Sequence, residues 1–186
     1  MDPGLLIAIC WILFLLYWGV SAISVKPAAE RQSWAGILAN RLPIMVGAVL
    51  LFVPWADPFR SPITSHVSAL KWLGSALVVL GLLGAVWSRK ILAGNWSANV
   101  QFKQGHKLVE RGPYLFVRHP IYTSILLMVL GTACSANRLI ALACFPFFFM
   151  GFFIKLKQEE RLLLRHFPEE YAAYKSRTKM LLPLIF

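Results

Sequence analysis

Five apolar runs, at roughly residues 5–24, 42–55, 67–87, 121–134 and 139–154, decide most of what this chain can fold into. Such runs avoid water, and inside a bilayer every backbone N–H and C=O must find its partner within the chain. That leaves helices or a closed barrel, and the runs lack the period-two alternation of barrel strands. The first and third reach the roughly 20 residues that cross a hydrocarbon core. The others, at about 14 to 16, must borrow flanking residues, tilt, or sit in locally thinned lipid. With 58% hydrophobic and 15% charged residues, against about 25% charged in soluble domains, the expectation is one all-α integral membrane domain over 1–186 with about five transmembrane helices.

Charge gives an independent reading of that count. Five spans place residues 25–41, 88–120 and 155–186 on one side, and these segments hold sixteen of the nineteen Lys and Arg residues. Basic residues stay cytoplasmic, so the N-terminus is expected outside and the C-terminus in the cytoplasm. The net charge of +11 is then a topology signal with attraction to anionic lipid. No basic soluble domain carries it, which excludes nucleic acid as the partner. Most of the seven Trp residues fall near run ends, as interfacial anchors do. The start, Met1-Asp2-Pro3-Gly4, lacks the basic segment of a signal peptide. Cys10, Cys134 and Cys144 sit inside apolar runs without metal-ligand spacing and read as small buried residues, so no metal is expected.

The polar stretch 106–122 lies between two apolar runs on the cytoplasmic side. Gly112-Pro113-Tyr114 is a turn signature. Pro120 suits the first position of a helix, because its missing N–H would be unpaired there, which puts His119 at the N-cap beside the positive end of the dipole. Tyr114 and Tyr122 offer ring faces and hydroxyls. The link 135–138 is so short that the fourth and fifth spans must form an antiparallel hairpin. Residues 155–166 are thereby brought beside 106–122. Lys155 and Glu159, four apart, share a helix face, and Glu160 is turned roughly 100° from it. Beyond them, residues 167–175 read as a further helix, with Pro168 and two acids in its first turn and Tyr171 and Tyr174 on one docking face. Trp34, Ile37 and Leu38 suggest a short interfacial helix. Gly74, Gly81 and Ala85 form a small-residue face for close helix packing.

Taken together, these motifs resemble the isoprenylcysteine carboxyl methyltransferase family. The resemblance rests on His106-Lys107-Leu108-Val109, Gly112 to Tyr114, Arg118 to Tyr122, Glu159-Glu160 and Phe167 to Tyr174. It covers about residues 95–183, so the chain divides into N-terminal spans (1–94) and a methyltransferase-like cofactor-binding region (95–186). It implies an integral-membrane enzyme that uses S-adenosyl-L-methionine, leaves S-adenosyl-L-homocysteine, and has no dinucleotide fold; the chain correspondingly has no Gly-x-Gly-x-x-Gly after a strand. Carried over position by position, the cofactor contacts fall on His106, Lys107, Leu108, Val109, Tyr114, His119, Pro120, Ile121, Tyr122 and Glu159, with Gln101 matching an upstream glutamine. The family's acceptor-positioning arginine is replaced by Lys155, which keeps the charge and loses the bidentate fork.

The residue chemistry agrees with that implication. The cofactor is a sulfonium cation with an amino-acid tail, so a carboxylate such as Glu159 suits its ammonium or ribose, and amides near His119 and Pro120 suit its carboxylate. Methyl transfer to an anionic oxygen is an in-line displacement that needs alignment and partial desolvation, not a general base. The expected acceptor is a lipophilic or prenylated carboxylate reaching the site from the bilayer. Three alternatives stay open on sequence alone: N-methylation of a phospholipid amine, an NADPH-dependent membrane reductase, and a non-catalytic membrane protein. The sequence does not fix the oligomeric state.

Overall fold

The computed structural model describes residues 2–23, 28–31, 33–52, 67–96, 100–103 and 108–182. Asp2 opens the first helix, α1 (Pro3–Ala22), by accepting the Leu5 amide at 3.0 Å, with Pro3 in the first turn. Twenty residues at 1.5 Å each give about 30 Å, the thickness of a hydrocarbon core. Leu5, Ile12, Leu15, Leu16 and Val20 on this helix are all more than half exposed. In water that surface would aggregate; against lipid it is the expected exterior.

Helix α2 spans Trp34–Phe52. The sequence suggested a separate interfacial helix at Trp34, Ile37 and Leu38, with a short span beginning near residue 42. Instead one continuous helix begins at Ser33, whose hydroxyl accepts the Gly36 amide at 3.2 Å as an N-cap does. Asn40, the polar residue that seemed to break the run, is buried and donates to the Gly36 carbonyl at 3.0 Å and to Gln158 Oε1 at 3.3 Å. With its amide bonded on both sides, the helix carries it across. Helix α3 (Val67–Leu92) is the longest of the set. These three helices are long and apolar enough to cross a membrane.

Helix α4 (Pro120–Ala136) is a shorter apolar helix of 17 residues. It ends at Asn137, which takes the left-handed conformation with φ 50°. Two helices follow in place of one run: α5 (Leu139–Leu142) and α6 (Cys144–His166). Pro146 has no N–H to bond back to the Leu142 carbonyl, which accounts for the interruption there. Residues up to Ile154 in α6 are apolar, and all of that helix's charged residues lie beyond them. Helix α7 (Pro168–Arg177) has Glu169 and Glu170 in its first turn and Lys175 and Arg177 in its last. The all-α expectation needs one addition. Strands β1 (Ala28–Arg31) and β2 (Gln101–Lys103) pair antiparallel, with Arg31 opposite Gln101 and Glu30 opposite Phe102.

Small residues set which helices touch. At Gly81 a Cβ would stand 2.6 Å from the Ser124 carbonyl oxygen, and at Gly131 a Cβ would stand 2.5 Å from the Gly74 carbonyl oxygen. Helices α3 and α4 therefore meet backbone to backbone along Gly74, Gly81 and Gly131, the packing role expected of the small face. Gly151 does the same for α6 on α2, where a Cβ would lie 2.7 Å from the Asn40 carbonyl oxygen. Two apolar clusters result. One gathers Ile7, Cys10 and Phe14 of α1 with Val78, Ala85 and Met128. The other gathers Leu126, Val129 and Ala133 of α4 with Cys144, Phe148, Phe152 and Leu156 of α6, closed by Met180 and Leu181 from the end of the chain. All three cysteines are free thiols, with Cys10 and Cys144 buried.

Candidate active site

The charged half of α6 lies against the start of α4. Pro120 occupies the first turn of α4 and His119 is its N-cap residue. The His119 carbonyl accepts the Tyr122 and Thr123 amides at 3.1 and 3.2 Å. One turn into α4, the Tyr122 hydroxyl donates to Glu159 Oε1 at 2.8 Å. Lys155, one turn before Glu159, places Nζ 3.9 Å from that oxygen and 5.3 Å from the centre of the Tyr122 ring. The imidazole of His119 lies between two carboxylates: Nδ1 is 3.8 Å from Glu159 Oε2 and Nε2 is 3.4 Å from Glu160 Oε1. A buried aromatic contact backs the cluster, with the Tyr122 and Phe152 rings 5.2 Å apart.

Four sequence-predicted residues, Lys155, His119, Tyr122 and Glu159, are therefore brought together from two helices. Pro120 and Ile121 are buried just beneath them. Leu108 and Val109 are half-buried in the segment leading to the 3-10 turn Gly112–Leu115. Tyr114 in that turn is buried, and its hydroxyl donates to the Ser88 carbonyl of α3 at 3.4 Å. Burial, reinforced by the nearby Glu159 charge, pushes its phenol well above the ordinary range, so it stays a neutral donor. Gln101 falls in β2; His106 and Lys107 lie outside the described residues. The His119 amide, expected to face a carboxylate of the cofactor, donates instead to the Met180 carbonyl at 3.2 Å. The anions gathered at this helix start are the chain's own.

Behind the predicted residues is a buried ion cluster that helical-wheel reasoning passed over. Arg118 Nε donates to Glu160 Oε1 at 2.7 Å, and both side chains are almost fully buried. The same guanidinium bonds the Lys175 carbonyl at 3.3 Å and the Thr178 carbonyl. Lys175 Nζ reaches Glu160 Oε2 at 3.3 Å. Burial alone would raise the Glu160 carboxyl, but hydrogen bonds from His119 and Arg118 outweigh it and hold the group down at about 2. Glu159 keeps about a quarter of its side chain exposed, so the two adjacent acids divide roles. Glu160 is a buried structural anion and Glu159 is the accessible one. The signal available in sequence was the pairing of Arg118-His119 with Glu159-Glu160, two adjacent charges on each side. No cluster of metal-ligating side chains occurs among the described residues.

The arrangement offers an accessible carboxylate, an aromatic face and a cation within one small volume. That donor set suits a cationic ligand with hydroxyl and amino groups.

The chain is similar to several known proteins. The chain is 32% identical over 114 residues to the cobalt-zinc-cadmium resistance protein CzcN of Cupriavidus metallidurans, covering 60% of this chain and 51% of that one. It is 30% identical over 116 residues to the protein-S-isoprenylcysteine O-methyltransferase of Saccharomyces cerevisiae, covering 61% and 48%. It thus spans about half the length of these curated relatives. The fold superposes with TM-score 0.55 on the solved structure of the eukaryotic intramembrane Ras methyltransferase ICMT, at 24% identity, over 81% of this chain and 52% of that one. A sequence profile for the isoprenylcysteine carboxyl methyltransferase (ICMT) family matches residues 73–165, half of the chain and the part that builds most of α3, all of α4 and nearly all of α6. With its Arg118-His119 helix start and Glu159-Glu160 pair inside that stretch, the chain belongs to the isoprenylcysteine carboxyl methyltransferase family.

Proposed function

We propose that this chain is an integral-membrane methyltransferase that uses S-adenosyl-L-methionine to methylate the carboxylate of an isoprenylcysteine-like lipophilic acceptor. The observation that carries this reading is the convergence of Lys155, Glu159, Tyr122 and His119 where α6 passes from apolar to charged. Two relatives bear the name protein-S-isoprenylcysteine O-methyltransferase, from Saccharomyces cerevisiae and Schizosaccharomyces pombe, and family membership supports the same chemistry here.

When bound, the cofactor supplies an electrophilic methyl on a sulfonium. The chain's own residues then have separable tasks. Glu159, held in orientation by the Tyr122 hydroxyl at 2.8 Å, accepts from the ammonium or ribose hydroxyls. The Tyr122 ring and its Phe152 backing exclude water from one side. His119 keeps Glu159 and Glu160 apart and aligned. Tyr114, Leu108 and Val109 form the wall toward α3, with Gln101, His106, Lys107, Pro120 and Ile121 assigned to the cofactor by family position. Lys155 holds the acceptor carboxylate by charge. It donates no proton, because an ionised oxygen needs only to be aligned for attack.

We read α4 and α5–α6 as the fourth and fifth spans, paired as an antiparallel hairpin, with the N-terminus outside and the site cytoplasmic. The charge bias across the segments supports that orientation. A water-soluble cofactor then enters from the cytoplasm while a lipid tail arrives through the bilayer.

Titration calorimetry in detergent tests the cofactor assignment. S-adenosyl-L-homocysteine should bind saturably, and Glu159→Ala and Tyr122→Phe should each weaken it, by ~10-fold or more for the lost charged contact. Saturable NADPH binding with none of S-adenosyl-L-homocysteine would reject the methyltransferase reading.

A further inference from the structure

Residues 178–181, which follow α7, are built into the wall of the site. They run alongside 117–123, with Val117 and Lys179 forming a parallel bridge. The Arg118 amide donates to the Lys179 carbonyl at 2.8 Å, the His119 amide to the Met180 carbonyl at 3.2 Å, and the Thr123 hydroxyl to the Leu181 carbonyl at 2.7 Å. Thr178, Met180 and Leu181 are buried, the last two within the α4–α6 core. This short strap therefore fixes the backbone of the very residues that present His119 and Tyr122.

Arg118 is the joint between strap and site. One buried guanidinium holds Glu160 Oε1 by Nε and the Lys175 and Thr178 carbonyls by Nη1. Glu160 in turn faces the His119 ring, whose other nitrogen faces Glu159. Strap, Arg118, Glu160 and His119 thus form a connected polar series that reaches Glu159 by a looser approach of 3.8 Å, with Lys175 closing its outer side.

We propose that Arg118 is a positioning residue that couples docking of the C-terminal strap to the geometry of the cofactor site, so that strap and cofactor stabilise each other. This rests on the cofactor assignment above. Coupling of this kind is reciprocal: whatever factor the docked strap adds to cofactor affinity, the cofactor adds to strap docking. A merely structural strap would lower stability and leave ligand affinity untouched.

The test combines exchange and binding on the full chain in detergent, with S-adenosyl-L-homocysteine as the probe. Hydrogen exchange at the Arg118 and His119 amides, which the strap carbonyls cover, should slow several-fold when the probe is added. Arg118→Lys keeps a cation for Glu160 but loses the second arm that holds the Lys175 and Thr178 carbonyls, and should weaken probe binding ~10-fold. Thr123→Val, which removes one strap bond and leaves the charge cluster intact, should weaken it by ~3-fold. Because both act through the strap, the double variant should fall short of the product of the two effects. Saturable probe binding with unchanged exchange at those amides, or with full affinity in both variants, would overturn the coupling and leave the cofactor assignment standing. Absence of probe binding to the unaltered chain would overturn the assignment and the coupling with it.

Discussion

Replacing Glu160 by Gln tests whether the buried ion cluster organises the molecule. Glu160 is 2% exposed, accepts from Arg118 at 2.7 Å and pairs with Lys175 at 3.3 Å. Its carboxyl is held at about 2 against an ordinary 4.5. At about 1.4 kcal/mol for each pH unit, the folded state favours the ionised form by roughly 3 kcal/mol. Glutamine preserves the volume and one acceptor but leaves the Arg118 guanidinium without its counter-charge. Removing one member of a buried pair costs about 3–5 kcal/mol. The surviving bonds from Arg118 to two carbonyls place this case near the lower end. For a chain of this size, 3 kcal/mol is a fall of roughly 6–12 °C in the unfolding midpoint.

The acid limb follows from the same group. A lowered folded-state pKa contributes stability that is whole above about 4.5 and disappears as pH falls through about 2. That limb should flatten in Glu160→Gln. Unfolding can be followed in detergent at pH 7 with a fluorogenic maleimide, because Cys10 and Cys144 are buried free thiols, and between pH 5 and 2, where the thiolate is too scarce to react, by the intrinsic fluorescence of the seven Trp residues. A midpoint within ~2 °C of the unaltered chain at pH 7, with the same acid limb between pH 5 and 2, would refute the reasoning.

Three further outcomes follow. Gly131→Val should abolish or sharply lower the yield of folded protein, since its Cβ would stand 2.5 Å from the Gly74 carbonyl oxygen, whereas Gly19→Val, with nothing within 4 Å of the added atom, should purify normally. Lys155→Met should lower turnover of a carboxylate acceptor at least ~10-fold while changing S-adenosyl-L-homocysteine affinity by less than ~2-fold, as expected for a group that holds acceptor alone; equal losses would move Lys155 into the cofactor site. A cysteine at Gln104 should react with an impermeant maleimide only from the cytoplasmic side of oriented vesicles; labelling from outside would invert the topology.

Much of this was legible in the sequence, and the exceptions have definite causes. The helix starts at Pro120 and Pro168 were readable because proline at the first helical position is a local property. The small-residue seam was readable because glycines one or two turns apart in an apolar helix have little other use. Helix α2 was misjudged because Asn40 and Arg41 interrupt its hydropathy, and the bond from Asn40 to Gln158 comes from a residue 118 positions away. The β1–β2 ladder was missed because backbone pairing of three or four residues leaves no side-chain pattern. Lys155 and Glu159 were found from their shared face, but no helical wheel tells which neighbouring acid turns inward. Glu160 is the buried one because Arg118 and the strap lie on its side, and that strap reaches the site only through the fold.

Carboxyl methylation at the junction of α4 and α6, as proposed, can be measured by the chemistry of its product. The protein, reconstituted in liposomes with S-adenosyl-L-methionine carrying a labelled methyl group and an N-acylated farnesylcysteine, should transfer label into the lipid fraction. Mild base should release that label as volatile methanol, because a methyl ester hydrolyses, and Glu159→Ala should abolish the transfer. Label that is incorporated but resists base would mean methylation at nitrogen, and no incorporation above the Glu159→Ala variant would rule out methyl transfer at this site.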